Sequence, residues 1–562
     1  MSSVSAPSDF GPVVLFFLTV FFYITHQLVM QPGWVLGGEM WAEMATNYFS
    51  NANSPSYFQK LFSTDAGYIP APQRLIALAG NVFNLPASSI PYFYTWSAIL
   101  LTGMMMGAFC LAQFRTLVKN DGLRFFTAIA VLFVADFYTR TFISFTYFAA
   151  YFAAIVTALA LVDDCEDVPW WAWFIPIWMV SKPAVLAALP AMIVVAVVSK
   201  SRFRRITVAT VALCVGQIVQ MVMSQKAGAW TQAHGISFLS KAINSFKYFF
   251  GFLGGYMFGP NSQLYKNVST LAGLFICFAS GFVLFKKRNN AGALVLVGFS
   301  LLFFNVLLNC FVLSDAWNGG MAPLADLPVD RHIIVGFFGC VLASAGLFAS
   351  LTDGTFSKSK FLATINFGSL IFIVWFVGSG WLSFGGKISR DPGSPITKNS
   401  QWQNMALAID SGASPLCVPI DPLGWIYSRN CTLFNPEIDW MNGVPHFEAA
   451  RLINGLGVLD ITPPASFSEK TLISLAVLVK PIAMQTLSVN VKAIINLKDG
   501  SRKYYAGGRD VPISGGLILL TGKESFPIKN ISSVRFIFSS PVEIALTAND
   551  PNSHPAILWM GN

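Results

Sequence analysis

Long apolar runs separated by short polar ones fill the first two thirds of the chain, and a period-two alternation takes over near the C-terminus. A helix crossing a bilayer core takes about 20 apolar residues. On that measure the chain offers eleven candidate spans, at 11–30, 94–114, 124–137, 142–162, 169–181, 183–199, 206–224, 267–285, 291–311, 333–351 and 361–384. The third, fifth and sixth are short, and a short apolar segment is a candidate for a re-entrant one. Three long segments interrupt the series, at 31–93, 225–266 and 312–332. The second sets Trp230, Phe238, Phe246, Tyr248 and Phe249 among polar residues, the pattern of an amphipathic helix lying at an interface.

Residues 385–400 are rich in Gly, Pro, Ser and Lys and read as a linker. From about 470 apolar and polar residues alternate. The run from Leu487 enters Lys498-Asp499-Gly500-Ser501, a hairpin signal. Val534–Phe538 alternates in the same way and Val542–Leu546 follows. Short strands at regular spacing predict a β-sandwich. The fold class is therefore a polytopic α-helical membrane protein with a C-terminal β-rich domain. Its domains are 1–384, carrying the spans and long loops, and 385–562.

Composition supports this division. Of 562 residues 54% are hydrophobic and 11% charged, with a mean hydropathy of +0.58. A soluble domain carries roughly 25% charged residues, so a soluble enzyme, a disordered chain and a coiled coil are all excluded. The net charge is +9, but the basic residues gather between apolar runs. That placement marks membrane topology and gives no nucleic-acid surface. Arg115, Lys119 and Arg124; Lys200, Arg202, Arg204 and Arg205; Lys286, Lys287 and Arg288; and Lys358 and Lys360 form four such groups. With eleven spans all four fall on one side, the cytoplasm. The N-terminus is then cytoplasmic and the C-terminal domain faces out. The acidic loop 163–167 also lands inside, and Asp and Glu contribute little to this rule. The first apolar run has no basic flank and no small-residue cleavage site, and reads as a retained span.

The eight cysteines show no CxxC spacing. Cys417 and Cys431 lie in the outward domain, where an oxidising compartment favours a disulfide between them. Trp402, Trp425, Tyr427 and Trp440 offer stacking faces for a sugar or, equally, packing groups.

Candidate chemistry sits in the outward segments. Gly37-Gly38-Glu39-Met40-Trp41-Ala42-Glu43 follows the first span directly. If helical, it sets Glu39 and Glu43 on one face. A carboxylate there can act as general base toward a hydroxyl. Asp65 adds a third in Asp65-Ala66-Gly67-Tyr68-Ile69-Pro70, followed by Gln73-Arg74. Lys182, in Ser181-Lys182-Pro183, stands where two short apolar segments meet, and can hold a phosphate or snorkel to the interface. Arg331 and His332 open the tenth candidate span beside Asp315, Asp326 and Asp330. Arg331 suits a phosphate, and His332 can donate or take a proton. The five His form no ligand pair, so no metal motif is visible, although carboxylates with His332 could meet around a divalent cation. No nucleotide signature occurs. No cofactor is evident, and a protein of this layout draws on a substrate already carried in the membrane lipid.

The layout resembles the GT-C class of membrane glycosyltransferases. The segment from Gly37 to Glu43, the segment from Asp65 to Arg74 and Ser181-Lys182-Pro183 resemble the bacterial O-antigen glucosyltransferases that modify lipopolysaccharide. The likeness in layout runs over about residues 10–385. It implies an undecaprenyl-phosphate-linked sugar donor, glucose or similar, and an O-antigen acceptor met on the periplasmic face of the bacterial inner membrane. The acidic position of that family falls on Glu39, a Glu where the family has Asp; Glu43 and Asp65 remain the other two possible bases. Lys182, Arg331, His332 and Arg74 are then the substrate-binding residues. A transporter or flippase of a lipid-linked sugar is the alternative, but such proteins often carry internal repeats, and none is found here.

Overall fold

The computed structural model describes residues 10–65, 67–133, 137–162, 168–199, 202–223, 237–258, 266–287, 289–313, 333–352, 370, 372, 374, 400–422, 425–430, 450–453, 457–482, 485–511, 513, 515–545 and 557–561. The chain divides into two compact units. One comprises Met1–Met30, Ser56–Ile76 and Thr95–Gly393; the other comprises Gln31–Pro55, Ala77–Tyr94 and Ser394–Asn562.

The first unit is helical. Among the described residues seven helices are long and apolar enough to cross a membrane: Gly11–Met30, Ile90–Cys110, Phe145–Val162, Arg202–Met223, Val268–Lys287, Gly292–Val312 and Ile334–Leu351. Each matches one of the eleven expected spans. The central one is covered all round, from Phe148 to Ala160. Others turn apolar stripes outward. On the helix Lys266–Lys287, Phe275, Phe278, Phe282 and Phe285 are each at least 66% exposed. Water would penalise such a stripe, whereas hydrocarbon would solvate it. Lys286 and Lys287 close that helix, where cations complement its dipole.

Three of the other four expected spans differ. Residues 124–137 overlap a helix of 13 residues, Asp121–Phe133. Residues 169–181 form a 3-10 turn, Trp170–Phe174, followed by the five-residue helix Ile175–Met179. Residues 183–199 form a 3-10 turn, Pro183–Ala188, leading into Leu189–Val198. Proline explains the fragmentation. Pro176, Pro183 and Pro190 each stand in the first turn of a piece, where a missing N–H costs nothing. Lys182, just before Pro183, is held extended at φ −58°, ψ 137°. Residues 361–384 lie almost wholly outside the described residues.

The helix expected within 225–266 forms at Phe238–Phe258. Its second half is embedded in the bundle: Phe249 meets Phe299 and Phe303, and Phe252 meets Phe337. Glycines set the tightest crossings. A Cβ on Gly298 would stand 2.5 Å from the Gly339 carbonyl oxygen, and one on Gly339 would stand 2.4 Å from that of Gly298. Such small-residue seams let membrane helices close up.

The second unit carries the β structure. A hairpin pairs β1 (Leu416–Ile420) with β2 (Trp425–Arg429). The remaining strands are β3 (Ala450–Ile453), β4 (Val458–Ile461), β5 (Thr471–Pro481), β6 (Leu487–Leu497), β7 (Arg502–Val511), β8 (Gly516–Pro527), β9 (Ile531–Phe538), β10 (Val542–Ala545) and β11 (Ile557–Gly561). They form one antiparallel sheet in the order β3-β10-β5-β8-β7-β6-β9-β4, with β11 also on β5. The expected hairpin is the β6–β7 turn, with Gly500 at φ +87° and Asp499 accepting from the Ser501 N–H and hydroxyl.

A continuous sheet stands where a two-sheet sandwich was expected. Where β7 meets β8 the described pairing narrows to Ala506 with Thr521. Gly507 and Gly522 flank that point, and a Cβ on Gly507 would meet the Leu519 carbonyl oxygen at 1.7 Å. Glycines there let the sheet bend without breaking. Its concave side closes on Leu475, Val477, Val491, Ile495, Ile518, Leu520, Phe536 and Trp559, all buried.

Candidate functional site

In the helical unit two sequence segments meet. Asp65 and Tyr68 close a tight turn through reciprocal backbone hydrogen bonds of 2.7 and 3.1 Å. Gly67 makes the turn possible at φ +88°. The Ala71 N–H then donates to the Val180 carbonyl at 3.1 Å, tying this segment to Ser181-Lys182-Pro183. The Lys182 ammonium donates to the Tyr68 hydroxyl and stands 4.9 Å from the centre of its ring. The Gln217 amide, on the helix Arg202–Met223, donates to the Ser181 carbonyl at 2.6 Å. Met221, one turn on, packs with Tyr68. Gln73 is buried and donates to the Ile143 carbonyl at 2.8 Å and to Thr146 at 3.2 Å.

Arg74 is 4% exposed, and its guanidinium donates to the Lys60 carbonyl at 2.7 Å, at the end of the helix Tyr57–Leu61. Part of its donor set is thus spent on a helix C-terminus. The Asp65 residue is buried. This cluster can offer an anion an ammonium and a phenol hydroxyl on a stiff platform.

Glu39 belongs to the second unit. It follows Gly38, whose φ of +66° ends the helix Pro32–Gly37. A Cβ on Gly38 would strike the Tyr92 ring at 2.5 Å, so glycine is required. Glu39 Oε2 accepts from the Ser400 hydroxyl at 2.5 Å and from the Trp402 N–H at 2.9 Å. The helix Trp402–Asp410 has no side-chain cap of its own, so Glu39 supplies an acceptor at its N-terminus. Burial raises the Glu39 carboxyl above its usual range, opposed by the Ser400 hydroxyl and by the N–H groups of Trp402 and Gln403. Glu43, half-buried, directly precedes the π-helical turn Met44–Phe49, so Glu39 and Glu43 do not share one regular helix face.

Trp402 is fully buried, with its indole N–H on the Ala87 carbonyl at 2.7 Å and its ring edge-on to Phe49 and Tyr427. Trp402 and Tyr427 therefore pack the unit and present no open stacking face. Cys417 is disulfide-bonded. The other described cysteines are free thiols, so its partner lies outside the described residues, as the expected Cys431 does. Arg331, His332, Asp315, Asp326, Asp330 and Trp440 also lie outside them. Among the described residues no three His, Cys, Asp or Glu side chains gather as a metal site.

Gln217, Ser400 and Asp421 emerge as site residues only from the fold, and so does the contact of Tyr68 with Lys182. Ser400 lies 361 positions from the carboxylate it serves, and no local pattern marks such a partner.

Fold and site define a membrane protein with several apolar helices and a β-rich C-terminal sheet, holding a buried polar cluster in each of its two units. No family model, no curated protein and no solved structure matches the chain.

Proposed function

We propose that the chain is an inverting membrane glycosyltransferase that moves a sugar, glucose in the simplest case, from undecaprenyl phosphate to lipopolysaccharide O-antigen on the periplasmic face of the inner membrane. The observation that carries this reading is the contact of Lys182 with Tyr68. It joins two of the three segments that resemble O-antigen glucosyltransferases, although 114 positions separate them. A half-buried ammonium beside a phenol hydroxyl suits a lipid phosphate.

Glu39 is the general base. It takes the proton of an acceptor hydroxyl, whose oxygen forms a bond to the anomeric carbon as the bond to the phosphate oxygen breaks. The lipid phosphate leaves as an anion, and Lys182 offsets its charge. Burial that raises the affinity of Glu39 for a proton favours this role. Arg331 and His332 complete the phosphate side in this proposal, and Glu43 and Asp65 are the other two bases to test.

The experiment is the lipopolysaccharide glycan profile of cells carrying wild type, Glu39→Gln or no gene, at matched protein level in membranes. Gln keeps an oxygen for the Ser400 and Trp402 donors but takes up no proton. A sugar added by wild type and missing in the variant is the expected result. Equal addition by both moves the base to Glu43 or Asp65. No sugar added by wild type over the empty strain overturns the transferase reading.

A further inference from the structure

Ser400 is 6% exposed and its hydroxyl donates to Glu39 Oε2. Its own N–H donates to Asp421 Oδ2 at 3.1 Å. Asp421 is 1% exposed, and its backbone carbonyl accepts from the Ala42 N–H at 2.5 Å, three residues past Glu39. Asp421 thus holds both the segment that carries Glu39 and the residue that binds the carboxylate. It directly follows β1, whose Pro419 carbonyl accepts from the Gln401 N–H at 2.9 Å.

Two parts of this network do different work. The bond from the Trp402 N–H to Glu39 satisfies a helix terminus, which a structural cap would do as well. The bond from the Ser400 hydroxyl serves no helix: Ser400 stands two residues before the first helical position. Its effect is on the carboxylate alone, which it turns and holds.

We propose that Ser400, anchored by Asp421, is a positioning residue for Glu39 that fixes the orientation of its carboxylate for proton transfer. This rests on the assignment of Glu39 as base. The hydroxyl favours the ionised form, which places it among the groups that set the working pH. The other titratable groups around this network are Tyr92 beside Gly38, Glu43 on the same segment, and Asp421 with Arg509 beside it.

The test is the pH profile of sugar transfer from undecaprenyl-phosphate-glucose to lipopolysaccharide, in membranes holding equal amounts of each full-length variant. Ser400→Ala removes the hydroxyl and keeps the backbone. Its acid limb is expected to move up by roughly one pH unit, the size of one lost charge-assisted hydrogen bond. The maximal rate falls about tenfold with the KM for donor unchanged, by the same equivalence. An unmoved limb in Ser400→Ala, with Glu39→Gln inactive, overturns this inference and leaves the base assignment standing. Full transfer by Glu39→Gln overturns both.

Discussion

Replacing Trp402 separates the two roles its indole can have, sugar platform or internal anchor. The ring is fully buried between Phe49 and Tyr427, with centroids 5.1 and 5.4 Å away, and its N–H satisfies the Ala87 carbonyl. Truncating a buried Trp to Ala costs about 3–5 kcal/mol in lost transfer energy and cavity. The stranded Ala87 carbonyl adds about 1–3 kcal/mol where no water reaches it. Trp402→Phe keeps the edge-to-face contacts and most of the volume, so its cost is mainly that second quantity, about 1–3 kcal/mol. In both variants the backbone N–H of residue 402 still reaches Glu39. The assay is denaturant unfolding of the full-length protein in detergent micelles, followed by circular dichroism in the β region, with O-antigen oligosaccharide binding measured alongside. The expected order of stability is wild type, Trp402→Phe, Trp402→Ala. A Trp402→Ala protein within about 0.5 kcal/mol of wild type, the scale of an ordinary surface change, and with saccharide binding abolished would refute the packing assignment.

Lys182→Ala is expected to lower kcat/KM for a polyprenyl-phosphate sugar about 10–100-fold, the range of one lost charge-assisted hydrogen bond, and Tyr68→Phe less; initial rates in membranes check the order. Because Glu39 must be ionised to accept a proton and its pKa is raised, transfer should climb with pH along a limb above the usual glutamate value of 4.5. The stability sign is opposite. A raised folded pKa contributes most below the unfolded value and is lost as pH rises through the folded one. Glu39→Gln should therefore gain on wild type in unfolding runs at pH 8 compared with pH 4. Gly298→Ala and Gly339→Ala should each cost about 1–3 kcal/mol by overpacking. Once one alanine has spread the helices the second fits more cheaply, so a double-mutant cycle in detergent should show coupling of at least about 0.5 kcal/mol.

The seven long helices were legible because an unbroken apolar run has one reading in hydrocarbon. The segments 169–181 and 183–199 were equally apolar, yet Pro176, Pro183 and Pro190 cut them into short turns. Composition reports burial, and it does not report whether the backbone can continue. Strands β6, β9 and β10 and the Asp499-Gly500 turn were visible for the same local reason. The continuous sheet was not, since it depends on how β7 and β8 meet at Gly507 and Gly522. Of the candidate site, the residue types and segments could be read in the chain. Their partners could not: the donors to Glu39 come from residues 400 and 402, and the Lys182 contact depends on a turn set by Gly67.

The composition of the second unit constrains the path of the chain through a membrane. Ala42 and Trp41 pair with Asp421, Glu39 binds Ser400, and the Ala87 carbonyl receives the Trp402 indole N–H. Segments bonded into one folded unit stand on one side of a bilayer, since unpaired backbone cannot be left in hydrocarbon. The chain must therefore cross an even number of times between residue 94 and residue 394. The described candidates beginning with Ile90–Cys110 and ending with Ile334–Leu351 number six, which is even. The ten spans expected from hydropathy after residue 30 are even as well. The four remaining expected segments, 124–137, 169–181, 183–199 and 361–384, can then add none, two or four crossings. An odd number would separate Glu39 from the helix it caps. The capping of Trp402–Asp410 by Glu39 is thus a topological clasp as well as a local contact. It places the carboxylate on the same side as the β-rich sheet, whichever face of the membrane that is.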